Sequence, residues 1–62
     1  MLAKFISTDR VEVAVNAAQV TFVSSVSNGT RIRFGAGRTV TVTEPLDEVM
    51  TALNRTLRAP QD

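Results

Sequence analysis

A small α+β fold, an antiparallel β-sheet of four or five hairpin-connected strands with one carboxy-terminal amphipathic helix packed on one face, is what this sequence predicts. Three observations carry that prediction. Apolar and polar residues alternate through much of residues 3–43, the period of strands with one buried face. Two glycine-containing breaks, Ser27-Asn28-Gly29 and Gly35-Ala36-Gly37, divide the later part of that region into strand-length pieces. Beyond Thr43 the apolar period changes from two to 3.6, which marks a helix.

In chain order, residues 3–6 are a short apolar stretch ending in Ser7-Thr8-Asp9, side chains that favour turns by bonding to nearby backbone. A hairpin begins there. Val11, Val13 and Val15 then alternate with Glu12, Ala14 and Asn16 as a strand. Residues 16–19 break the alternation, and an Asn followed by two alanines fits a loop or a single helical turn equally. Residues 20–26 read as a strand, with Val20, Phe22 and Val26 on one face and Thr21, Val23 and Ser25 on the other. Ser27-Asn28-Gly29 tolerates positive φ and predicts a tight hairpin. The next strand, residues 30–34, turns Ile32 and Phe34 inward and Arg31 and Arg33 outward. The last, residues 38–43, turns Val40 and Val42 inward and Thr39, Thr41 and Thr43 outward.

The helix is predicted over residues 44–58. Leu46, Val49, Met50, Leu53 and Leu57 form one narrow apolar stripe. Thr43 is the expected N-cap, Pro45 fits the first turn, and Glu44, Asp47 and Glu48 complement the positive end of the helix dipole. Pro60 is the expected stop, with a short disordered tail over residues 59–62. A single stripe covers one face of the sheet. The other face is expected to show Thr21, Val23, Arg31, Arg33, Thr39 and Thr41 to water, a ligand or a second subunit.

A chain of 62 residues allows one domain, and a domain of that size buries only ~60% of the surface its unfolded chain exposes. Stability is therefore expected to be marginal. With no cysteine, neither disulfides nor thiolate metal sites can reinforce it, which leaves oligomerisation as the expected support. Seven basic residues against six acidic ones give a net charge of +1, a balance that neither demands nor excludes nucleic acid. There is no apolar run of the ~18 to 20 residues that a bilayer requires and no secretory pattern at the start, so a cytoplasmic protein without membrane insertion is expected.

Catalysis finds few tools. Histidine and cysteine are both absent, so Ser24, Ser25 and Ser27 have no histidine base to activate them, and the carboxylates near residues 44–48 read as a solvated helix start. No metal-ligand spacing and no phosphate-cradling loop before a helix is present, and no cofactor is expected. The expectation is a non-enzymatic chain. The functional constellation is basic: Arg31 and Arg33 on one strand and Arg38 opening the next are candidates to touch phosphates or a partner. No aromatic residue is expected beside them. Thr21, Val23, Thr39 and Thr41 are the candidate subunit interface, and a homo-oligomer joined through the sheet is the favoured partnership.

The run Val13-Ala14-Val15-Asn16, residues 20–23, Thr30-Arg31-Ile32, Gly37, residues 40–44 and Asp47-Glu48-Val49 resembles the FlbD/SwrD family of small flagellar and swarming-motility proteins. That resemblance spans residues 11–57 and implies a regulatory or interaction role in motility; at Thr8-Asp9-Arg10 the chain departs from the family's Leu-Asn-Gly turn. A second resemblance gives the alternative. Residues 20–53, with Asn28-Gly29-Thr30-Arg31-Ile32 and Gly37-Arg38-Thr39, are similar to the first half of LytTR-type DNA-binding domains, which implies a small transcriptional regulator using Arg31, Arg33 and Arg38.

Overall fold

A computed structural model describes residues 1–58 of the chain. Its elements run β1 (Leu2–Ile6), β2 (Glu12–Asn16), a 3-10 turn (Ala17–Gln19), β3 (Val20–Val26), β4 (Gly29–Phe34), β5 (Arg38–Val42) and α1 (Leu46–Arg58). Every strand pairing is antiparallel. This is the small α+β fold that the alternation and the terminal helical period predict. The strands are divided between two sheets, a β1-β2 ribbon and a three-stranded sheet of order β3-β4-β5.

The division arises where the chain leaves β1. Ile6 still pairs with Glu12, but Ser7 bridges to Val42 at the end of β5. The Thr8 amide donates to the Thr41 carbonyl at 3.1 Å, and the Thr43 amide donates to the Ile6 carbonyl at 2.7 Å. Ribbon and sheet are therefore stitched along a short seam, and their inner faces close on one core. The ribbon and the 3-10 turn supply Ala3, Phe5, Val15 and Ala17, the sheet supplies Ile32 and Val42, and the helix supplies Val49 and Leu53. Ile32, Val42 and Val49 are wholly buried, and each such side chain contributes about 1.5–3 kcal/mol by leaving water.

Local chemistry explains the connections. The Asn16 side chain accepts from the Ala18 amide at 3.1 Å and caps the 3-10 turn, which decides between loop and helical turn at residues 16–19. In the first hairpin the Arg10 amide donates to the Ser7 carbonyl at 2.8 Å, and Arg10 takes φ 66°, the left-handed region that favours glycine. At the second hairpin positive φ falls on Gly29 alone, at 148°, and not on Ser27 or Asn28. Its requirement for glycine is steric as well as conformational, because a Cβ there would lie 1.8 Å from the Val42 carbonyl oxygen.

The helix differs from expectation at its start and in its roll. Thr43 does not cap it. The Thr43 hydroxyl donates to the Ile6 carbonyl at 3.1 Å because its backbone still belongs to the seam, and the Pro45 carbonyl accepts the first helical bond from the Val49 amide at 3.0 Å. Val49 and Leu53 are buried with Ala52 and Thr56 half-buried beside them, whereas Met50 and Leu57 are 48% and 44% exposed. The small Ala52 is taken into the packed side, which rolls the apolar stripe partly out to solvent. No helix among the described residues is long and apolar enough to cross a membrane. The tail expected at residues 59–62 lies outside the described residues.

Two substitutions test these backbone assignments by chemical denaturation. Gly29→Ala lowers stability by at least ~2 kcal/mol, since the added methyl meets backbone that cannot retreat. Arg10→Gly raises it by about 0.5–1 kcal/mol, because relief of the left-handed strain exceeds the entropy glycine adds to the unfolded chain.

Candidate interaction face and free strand edge

The outward face of the three-stranded sheet is set by one irregularity. Val20 pairs with Phe34, but the next pairing is Phe22 with Arg33, so Thr21 is an extra residue bulged from β3. The Thr21 hydroxyl donates to the Arg33 carbonyl at 3.1 Å and satisfies that oxygen where the ladder is interrupted. From the bulge onward every side chain of β3 is inverted relative to strict alternation. Val23, expected outside, is half-buried opposite Ile32 and packs against the core. Phe22, expected inside, is 50% exposed.

Directly opposed residues of adjacent strands share a face. The outward side therefore carries two cross-strand rows, Phe22-Arg33-Thr39 and Ser24-Arg31-Thr41. In the first row the Arg33 guanidinium lies over the Phe22 ring, 5.6 Å from its centroid, a cation–π contact worth about 0.5–1 kcal/mol at an exposed site. Its Nη2 atom reaches toward the β4–β5 turn, 3.5 Å from where a Cβ on Gly37 would stand. The expectation that no aromatic shares the arginine face is thereby corrected. Arg38 does not join this group: it pairs with Phe34, whose side chain turns toward the core, so Arg38 lies at the sheet's end on the opposite face.

No Asp or Glu occupies either row. The ion pair found among the described residues, Lys4 with Glu12 at 3.8 Å, is on the ribbon, and Glu44 spends its carboxylate on the Ile6 amide at 3.0 and 3.2 Å. Arg31 and Arg33 are thus exposed cations in a patch of hydroxyls and one aromatic ring. Elsewhere, Asp47, Glu48, Thr51, Ala52 and Arg55 line an open depression of about 340 Å³ along α1. Among the described residues no cluster of three or more carboxylates has the arrangement of a metal site.

The second feature is the edge of the same sheet. β3 and β5 are the two outer strands; β5 meets residues 7 and 8 of the ribbon's end, whereas among the described residues none of the amides or carbonyls of β3 bonds to backbone on the side away from β4. Its seven residues, VTFVSSV, contain no charged residue and no proline, the devices that ordinarily blunt an open edge. The sequence signal for this edge lies in that composition, but only the strand order shows that β3 is an edge strand.

The fold and these two features define a small sheet-and-helix domain with an open β-edge and a basic, aromatic-bearing face. Compared with protein-family models, with curated proteins and with solved structures, the chain matches none.

The inverted face has a direct consequence for stability. Val23→Ser costs about 1–2 kcal/mol in denaturant unfolding, whereas Phe22→Ser costs under ~1 kcal/mol, the reverse of the order that strict alternation demands.

Proposed function

We propose that this chain is a non-enzymatic interaction module that self-associates through its sheet, edge to edge along β3. The uncharged, unpaired β3 edge carries the reading: its row of amides and carbonyls is a template for another strand, and a second copy offers the same strand. Antiparallel β3–β3 pairing is self-complementary under a two-fold axis, so one interface serves both copies. The small size of the domain favours such pairing, which adds buried area that one copy cannot supply.

Thr21 and Val23 contribute to this interface through their backbone, since the side chain of one is bonded to Arg33 and that of the other is turned to the core. Thr39 and Thr41 lie on β5, at the opposite edge of the sheet, and take no part in β3 pairing; they remain on the outward face. The absence of histidine and cysteine and the commitment of Glu44 to backbone support a role without catalysis. The resemblance to the FlbD/SwrD family points such a module toward a regulatory partner in flagellar machinery.

Sedimentation equilibrium from micromolar to millimolar concentration tests the association. The wild-type chain moves from monomer to dimer across that range. The double variant Ser24→Lys, Ser25→Lys, which places like charges on both facing edges, remains monomeric with its circular dichroism unchanged. A wild-type chain that stays a folded monomer throughout ends the proposal.

A further inference from the structure

We propose that the outward face of the three-stranded sheet binds single-stranded nucleic acid, with Phe22 as the stacking platform and Arg31 and Arg33 as phosphate contacts. This goes beyond self-association, which uses the edge of β3 and leaves this face free. Three observations on the face converge. It is the side of the sheet turned away from the ribbon, the helix and the core. It carries two exposed arginines and no carboxylate, so its charge complements a polyanion although the whole chain is only +1. It also presents a half-exposed aromatic ring in the same cross-strand row as one of those arginines.

The ring selects among polyanions. An acidic peptide needs cations but gains little from Phe22, whereas every nucleobase has a π-face that stacks on the exposed ring or on the Arg33 guanidinium lying over it. The shape selects between strand states. The rows lie on a sheet with no helix or ribbon projecting from them, so nothing on this face enters a groove, while an unpaired strand can lay its bases flat across it. Arg31 and Arg33 are two residues apart on β4, which places their Cα atoms about 7 Å apart along the strand direction. That separation lets both guanidinium groups follow neighbouring phosphates of an extended backbone. Ser24, Thr39 and Thr41, opposite the arginines, add hydroxyl donors.

Fluorescence anisotropy with a labelled oligothymidylate of about twelve nucleotides, compared with a duplex of equal length, tests the proposal. Two phosphate contacts give a log–log salt slope near about −1.4, so affinity falls about sevenfold between about 50 and 200 mM salt. Arg31→Ala brings the slope to about −0.7. Phe22→Leu keeps an apolar side chain at the site and an unchanged unfolding midpoint, yet weakens binding about tenfold with the slope unaltered, and Phe22→Trp restores it. Tighter binding to the duplex, equal competition by polyglutamate, or full affinity in Phe22→Leu each overturns the assignment.

Discussion

Ribbon and sheet meet along a seam of a few backbone hydrogen bonds, and the closed core depends on that contact. Residues 6–8 at the end of β1 are bonded to residues 41–43 at the end of β5, and the Glu44 carboxylate grips the Ile6 amide from the next position along. The Thr30 hydroxyl, wholly buried, donates to the Glu44 carbonyl at 2.8 Å and holds the same residue from the sheet side. The chain is thus fixed in direction at the point where α1 departs. Val49 and Leu53 reach Phe5, Ala17 and Ile32 in a common core because the helix is launched from this clasp. The same closeness explains Gly29, since the start of β4 lies against the Val42 carbonyl within the seam.

Most of the elements are legible in the sequence for simple reasons. Alternation in residues 11–16 and 30–34 reports strands with one buried face, and the wholly buried Ile32 lies where that alternation places it. The change of period after Thr43 reports the helix, and the glycines report the turns. What was not legible depended on long-range contact. Thr43 has the chemistry of an N-cap, but its hydroxyl is claimed by a carbonyl 37 residues away. The helix roll follows from Ala52 packing against the core, a close approach that no periodicity encodes.

The bulge at Thr21 is the clearest case. Val20, Phe22, Val23 and Val26 are all apolar, so residues 20–26 contain a buried face in either register and the alternation cannot choose between them. The choice is made by β4, where Ile32 and Thr30 are fixed in the core and oblige their partners Val23 and Ser25 to share their side. One extra residue takes up the mismatch between Val20 and Phe22. The candidate face was therefore half legible: Arg31, Arg33, Thr39 and Thr41 follow from alternation, while Phe22 joins them and Val23 leaves them only through the bulge. Arg38 is close to the other arginines in sequence, but cross-strand register separates it from them.

That single inserted residue lets both ends of β3 turn a valine to the core, Val20 before it and Val23 after it. A related chain without Thr21 would pair Val20 with Phe34 and Phe22 with Arg33 in an unbroken ladder, and would still show solvent the aromatic ring. Deletion at position 21 would accordingly straighten the strand and release the Arg33 carbonyl from the Thr21 hydroxyl without exchanging the faces of the sheet. Only a shift of one residue in the turn between Val26 and Gly29 would exchange the ring for a valine on the outward face.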